Sequence, residues 1–332
     1  MKILITGGCG YLGKTICNAF IDAGHECVII DTAADKETPS ERVSLYCADI
    51  SDSAALKNIV AEHPDIYAAI HCAELSTVSL SVSNPYEYYS LNVVKTMEFF
   101  KNLHDLGINR IIFSSSAAVY DNVPGYMVTE RSPIKPRSPF GRTKYITEMM
   151  LKDFCSAYNM QCIALRYFNP IGADPRSRSG LVKGSANIIS RLIRILNCEE
   201  NTFVVSGDDW DTRDGTCVRD YIHVWDVAQA NVKAIENFEK AFENAGSEYN
   251  DNFLSLNIGS GVDVTVKEFI MAFENVTGEK INTRIGPRRQ GDISGSYANI
   301  RLAQKAIGWK PTYSLEDAIF DALRWDEENG DR

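Results

Sequence analysis

Residues 1–31 read MKILITGGCGYLGKTICNAFIDAGHECVIID and constrain the fold more than any other stretch. Lys2 to Thr6 is an apolar run with the length and composition of a buried parallel strand. It opens onto Gly7-Gly8-Cys9-Gly10-Tyr11-Leu12-Gly13, after which Lys14 to Ala23 carries Ile16, Cys17, Phe20 and Ile21 at helical spacing. Cys27 to Ile30 is a second strand, closed by Asp31. Strand, glycine turn, helix, strand and acid together form a dinucleotide-binding arrangement. The glycines permit the tight turn, let backbone N–H groups approach a pyrophosphate, and bring the helix close. Both Gly8-x-Gly10-x-x-Gly13 and Gly7-x-x-Gly10-x-x-Gly13 fit. Glycines alone would suit an ordinary strand-to-helix turn; the strand before and the acid after give them weight. Asp31 is placed to accept from both adenosine ribose hydroxyls and to repel a 2′-phosphate, so NAD is expected rather than NADP.

The alternation continues. Val43 to Cys47 is strand-like and leads to Ala48-Asp49-Ile50, a turn placed to meet the adenine ring. Ala54 to Glu62 reads as a helix, Tyr67 to Cys72 as a strand and Tyr86 to Leu106 as one long helix. Ile111 to Phe113 is a strand ending in Ser114-Ser115-Ser116, Lys144 to Tyr158 an amphipathic helix, and Cys162 to Leu165 a further strand. This pattern implies an α/β fold built on a doubly wound parallel sheet, with ligands at the carboxyl ends of its strands. Beyond Phe168 the rhythm breaks. Asn169-Pro170-Ile171-Gly172 and Asp174 to Gly180 read as loop, Ser185 to Leu196 as helix, Phe203 to Ser206 as strand, and Asp208 to Gly215 as acidic turns. We therefore expect a Rossmann-type cofactor domain over 1–170 and a smaller mixed α/β substrate domain over 171–332, with 215–240 packing back on the first. A chain of 332 residues is long enough for both cores.

A net charge of −10 and the lack of any lysine–arginine cluster argue against a nucleic-acid partner. No apolar run approaches a membrane span, and the chain enters a structural strand at once, so a cytoplasmic protein without a targeting segment is expected. Nine cysteines are scattered with no C-x-x-C pair, as reduced core thiols would be, and five dispersed histidines suggest no metal site.

Ser116 would face the cofactor cleft, although a serine there serves equally well as a helix cap. Its weight comes from Ser138-Pro139-Phe140-Gly141-Arg142-Thr143-Lys144. With this segment the sequence resembles the extended short-chain dehydrogenase/reductase family, and within it the UDP-galactose 4-epimerases. The matching stretches are TGGCGYLG, FSSSAAVY, SPFGRTK, RYFNPIGA, GTCVRDYIHVWDVA and PRRQGD, between residues 6 and 292. The resemblance implies NAD-dependent epimerisation of UDP-hexoses at C4. The family's tyrosine deprotonates the sugar 4-hydroxyl while hydride passes to NAD⁺, and the 4-keto sugar turns over and is reduced on its other face. It further implies a homodimer, the helices matching Tyr86 to Leu106 and Lys144 to Tyr158 pairing as a four-helix bundle.

Residue by residue, the resemblance puts Gly7, Gly10, Tyr11, Leu12 and Gly13 at the cofactor diphosphate and Asp31, Asp49 and Ile50 at its adenosine. Cys72, Ala73, Asn92, Ser114, Lys144 and Tyr167 fall beside the rest of the cofactor. Ser116, residue 140 and Lys144 form the catalytic set. Ser116, Asn169, Asn187, Arg219, Arg289, Asp292 and Ser296 would hold the UDP-sugar, two separated arginine forks suiting a diphosphate. Either arginine alone would read as a surface ion pair, and Arg288 as a solvated neighbour.

Several positions depart from the family pattern. Where the family has the catalytic tyrosine, four residues before Lys144 on one helix face, this chain has Phe140. That tyrosine's pKa falls from about 10 toward neutrality beside the lysine. Phenylalanine has no proton to move, and loss of a general acid–base group implies a fall of roughly 10²–10⁴-fold in turnover. Ser116 is a weak substitute, and Tyr145 points about 100° away around the helix. The intact surroundings favour a replaced tyrosine over a natural departure. Cys72-Ala73-Glu74 stands for aromatic-Ala-Gly, Ser76 for a cofactor-binding lysine, and Ser206 for an aromatic near uracil. Ser296 stands where epimerases restricted to plain hexoses carry tyrosine, which leaves room for an N-acetyl group at C2. Three other readings stay open. A 4,6-dehydratase would need Asp-Glu where this chain has Ala117-Ala118. A decarboxylase would need an extra basic group, and a non-catalytic NAD- and UDP-sugar-binding protein would need no proton-transfer residue.

Overall fold

The computed structural model describes residues 1–34, 40–181, 185–247, 252–289 and 291–329. Its main sheet has seven strands: β1 Lys2–Thr6, β2 Glu26–Asp31, β3 Val43–Cys47, β4 Ile66–His71, β5 Arg110–Ser116, β6 Gln161–Tyr167 and β7 Phe253–Ile258. All pair in parallel, in the order β7-β6-β5-β4-β1-β2-β3. The chain leaves β1 toward β2 and then returns to β4 on its other side, so the crevice opens between the carboxyl ends of β1 and β4. Successive side chains of a strand point to opposite faces. Ile3 and Ile5 accordingly enter one core, with Phe20 of the helix Tyr11–Asp22 and Val227 of the helix Val224–Glu236. Leu4 enters the other, with Phe99, Phe100 and Leu151.

Three elements differ from the sequence expectation. The stretch expected as one helix over Tyr86 to Leu106 is Pro85–Tyr89, a π-helical turn Ser90–Lys95, and Thr96–Asp105. The widened turn lets Thr96 Oγ1 donate to the Leu91 carbonyl at 3.1 Å and frees Asn92 to reach a neighbouring loop. The next helix is Pro139–Tyr158, starting before Lys144, because Pro139 suits its first position and Ser138 Oγ accepts from Gly141 N at 3.1 Å. Asn169–Ile171, read as loop, is a short strand paired with Tyr221–His223; a two-stranded edge tolerates Pro170.

The division at residue 170 is crossed repeatedly. Val224–Glu236 packs against Tyr11–Asp22, and β7 completes the main sheet. The helices Phe238–Ala245 and Arg301–Ile307 also join the first core, and a second region forms around Ile189, Leu192, Phe269, Phe273 and Ile319, beside a four-stranded sheet that includes Val218–Arg219 and Gly295–Ala298. Among the described residues no helix is long and apolar enough to cross a membrane.

Candidate active site

The glycine turn is dictated by steric contact. Gly7 has φ +68°, and a Cβ on it would lie 2.7 Å from Ala73 N. A Cβ on Gly13 would lie 2.2 Å from the Gly7 carbonyl oxygen. Gly10 caps the helix Tyr11–Asp22 without a side chain, which leaves the helix N-terminus open to an anion. Leu12 packs half-buried on the core, and Tyr11 donates its hydroxyl to the Gly172 carbonyl at 2.8 Å, tying the turn to the second region. Asp31, at the end of β2, accepts from Cys9 N at 3.0 Å and Ala33 N at 2.8 Å, which fixes its carboxylate at the mouth of the turn. Asp49 accepts from Ser51 N at 2.9 Å and Oγ at 2.7 Å and pairs with Lys95. Burial acts to raise the Asp49 carboxyl, but the bonds from Lys95 and Ser51 outweigh it and hold it at about 2. Ile50 is buried in the core. An unfilled turn, an open helix end and a fixed carboxylate fit NAD: Gly7 to Gly13 would hold its diphosphate and Asp31 its ribose.

At the other end of the crevice, the chain leaves β4 with Cys72 N and Ala73 N donating to Thr6 Oγ1 at 3.2 and 3.3 Å. Cys72 Sγ lies 3.1 Å from Ser114 Oγ, and burial pushes its thiol up to about 11. Tyr167 is 3.5 Å from Ser114 Oγ and donates to Asn231 Oδ1 at 3.0 Å; burial holds its phenol far above the ordinary range, so it keeps its proton. Ser116 Oγ accepts from Ala118 N at 3.1 Å and so caps a short turn, Ala117–Val119, while remaining partly exposed. Phe140 is buried in the first turn of its helix, and Lys144, one turn on, reaches the Ser114 carbonyl with Nζ 5.7 Å from the Phe140 ring centre. Burial drives the Lys144 ammonium down to about 7, opposed by Cys72 and Glu148.

The sequence matches the NAD dependent epimerase/dehydratase family over residues 3–250. The chain belongs to that family. It is 35% identical to the UDP-glucose 4-epimerase of Bacillus subtilis, over 99% of this chain and 98% of the relative. The structure resembles the UDP-glucose-4-epimerase of Stenotrophomonas maltophila, solved with NAD and formylated UDP-arabinopyranose, with a TM-score of 0.90, 33% identity, and coverage of 100% and 99% of the two chains. It also resembles the Bifidobacterium longum UDP-glucose 4-epimerase solved with NAD⁺ and UDP, with a TM-score of 0.89, 31% identity and 99% of each chain covered.

Within this family fold, the residues expected at the sugar nucleotide gather on the second region. Arg219 pairs in register with Ser296, which is buried, and its guanidinium donates to the Val218 and Ile293 carbonyls at 2.8 and 3.1 Å. Asp292 lies 3.8 Å from it. Asn169 donates its side-chain amide to the Asp220 carbonyl at 2.9 Å. Asn187 caps the helix Ile188–Leu196 through Ile189 N at 3.1 Å and also donates to the Pro170 carbonyl at 3.2 Å. Arg289 is exposed. Arg288 is half-exposed, paired with Asp209 at 2.8 Å and stacked 4.1 Å from the Trp210 ring centre.

The sequence reading missed one residue at the site and one contact. Arg191, on the helix capped by Asn187, rests 4.7 Å from the Phe203 ring centre. Burial together with the neighbouring Arg289 charge holds it below the usual arginine range, so it belongs to one cationic cluster with Arg289. Its position one helical turn after Asn187 was the available signal. The contact is that of Glu74, noted in the sequence only as a departure beside the cofactor: its carboxylate is in direct contact with Lys144 Nζ. Asn92, expected beside the cofactor, holds the loop that carries Glu74. Its amide oxygen accepts from Leu75 N at 2.9 Å, and its nitrogen donates to the Leu75 carbonyl at 2.9 Å and Thr143 Oγ1 at 3.3 Å.

Proposed function

We propose that this chain interconverts UDP-hexoses at C4, using NAD, through a 4-keto sugar. One observation carries the reading: Lys144 reaches the Ser114 carbonyl on β5, the strand that ends in Ser116, in the same parallel sheet whose first strand opens onto the glycine turn. NAD⁺, when bound, takes up and returns the hydride of C4. Ser116 keeps a hydroxyl proton to offer the sugar oxygen while its lone pair serves the Ala118 cap. The Lys144 charge favours negative charge developing on nearby oxygens. Arg219, Arg191 and Arg289 supply the cations that a UDP diphosphate requires. The small, buried Ser296 supports acceptance of N-acetylated hexoses besides plain ones.

The proposal includes a homodimer in the cytoplasm, serving galactose metabolism. The dimer is supported by the exposed Tyr86, Val94, Met97 and Met149 on the paired helical segments 85–105 and 139–158, apolar side chains that a second copy would cover. A second reading, binding of NAD and UDP-sugar without turnover, rests on Phe140 alone.

Proton NMR of UDP-glucose or UDP-galactose incubated with the protein and NAD tests the first reading: the two sugars should equilibrate. With the N-acetylated pair also offered, Ser296→Tyr should abolish turnover of that pair and leave plain hexoses within a few-fold. No interconversion of any pair, by either the chain as it stands or Phe140→Tyr, would contradict the epimerase reading.

A further inference from the structure

Position 140 offers no proton, yet a carboxylate stands beside Lys144. Glu74 follows the end of β4, where the Thr6 contacts to Cys72 and Ala73 and the Asn92 clamp on Leu75 fix the backbone on both sides of it. Its side chain is 18% exposed, whereas that of Lys144 is 3% exposed. The acid is therefore the member of the pair that reaches solvent, and the lysine is the buried one. Lys144 also holds the Ser114 carbonyl, and Ser116 lies two residues further along β5 on the same face, about 7 Å on. The groups facing this pair are Glu148 from the helix Pro139–Tyr158, Cys72 and His71 from the end of β4, and Tyr167 from β6. Cys72 and Tyr167 are held protonated by burial, so neither has a site free for an alcohol proton at neutral pH. Both ring nitrogens of buried His71 are engaged by Thr6 Oγ1 and Thr96 Oγ1, and buried Glu148 is engaged by Arg166 and Ser115.

We infer that Glu74 is the proton-transfer residue of this epimerase, oriented by Lys144 and acting in the place of the phenol missing at position 140. The inference rests on the UDP-hexose reading above. In the forward step the sugar O4–H and C4–H bonds break and the C4=O bond forms. The proton goes to a Glu74 oxygen, and the hydride, with the C–H electron pair, is taken up by NAD⁺. The reverse step on the other face of the 4-keto sugar returns both. Phe140 and Glu74 then form one coupled change, a ring without a proton beside an acid that has one to exchange. They are thereby better explained as a natural arrangement than as a replaced tyrosine.

The test measures UDP-glucose turnover by NMR, with NAD and UDP affinities by calorimetry, in the chain as it stands, Glu74→Gln, Glu74→Asp and Phe140→Tyr. Expected are turnover by the unaltered chain and a fall of roughly 10²–10⁴-fold in Glu74→Gln, with NAD and UDP affinities within a few-fold. Glu74→Asp, which keeps the acid but shortens its reach, should retain an intermediate rate. Turnover by Glu74→Gln within threefold of the unaltered chain would overturn the inference. So would a silent unaltered chain that Phe140→Tyr activates, an outcome that leaves the epimerase reading standing. Silence of every form with NAD and UDP bound would overturn both.

Discussion

The two ends of the cofactor crevice are built by different means. At the adenosine end, backbone geometry sets the site. Gly7 and Gly13 have no room for a Cβ, and Asp31 is held by two main-chain N–H groups. At the nicotinamide end, side chains from three separate segments set it: Glu74 after β4, Ser114 and Ser116 on β5, and Lys144 on the following helix. The first kind of site has almost no freedom to vary, since one methyl group destroys it. In the second kind, a lost function at one segment can be supplied from another, and Phe140 with Glu74 is such an exchange.

The largest expected effect lies at the backbone-built end. Gly13→Ala places a methyl 2.2 Å from the Gly7 oxygen, where something must shift. NAD affinity should fall about 100-fold or more by calorimetry, and Tm by several degrees. Normal NAD binding by this variant would show that the turn is adaptable and break the contrast.

Legibility in the sequence follows the same division. The parallel sheet, the glycine turn and Asp31 could be read because each imposes a local pattern: alternating elements, fixed glycine spacing and an acid at a strand end. The positions of Ser116, Phe140 and Lys144 were legible too, through the short motifs that carry them. The Glu74–Lys144 contact was not. Those residues lie seventy positions apart and meet only because β4 and β5 are neighbours in the sheet and Asn92 clamps Leu75. The π-helical turn that frees Asn92 was equally hidden, since its apolar spacing is that of an ordinary helix.

A smaller effect is expected at Asp31. Asp31→Asn removes a charged acceptor worth about 1.5–3 kcal/mol, so NAD should bind roughly 10–100-fold more weakly. Discrimination against NADP should narrow in the same titrations, because the repelling charge is gone. An unchanged NAD/NADP ratio would mean that Asp31 does not face the ribose.

The smallest effect concerns stability. His71 is buried between Thr6 Oγ1 at 2.8 Å and Thr96 Oγ1 at 3.0 Å, and burial and the Lys144 charge hold it down at about 3. As pH falls below 6.5 the unfolded chain takes up a proton that the folded one refuses. The contribution of His71 is therefore full above pH 6.5 and declines from there toward pH 3. Urea unfolding should show a loss of about 2 kcal/mol between pH 6.5 and 5 from this residue, at about 1.4 kcal/mol per pH unit. In His71→Gln that part of the slope should vanish, while Asp49, which holds its proton only below about 2, contributes nothing in this range.

The pH profile of turnover tests the exchange itself. It should be recorded between pH 6 and 9 for the chain as it stands and for the double variant Glu74→Gln/Phe140→Tyr. The unaltered chain has no phenol at position 140 to ionise, and its carboxylate is paired with an ammonium, so it should show no acidic limb in this window. The double variant, dependent on a phenolate, should lose activity toward pH 6 by up to about tenfold per unit. An acidic limb common to both proteins, or turnover by the double variant alone, would contradict a carboxylate at the centre of this site.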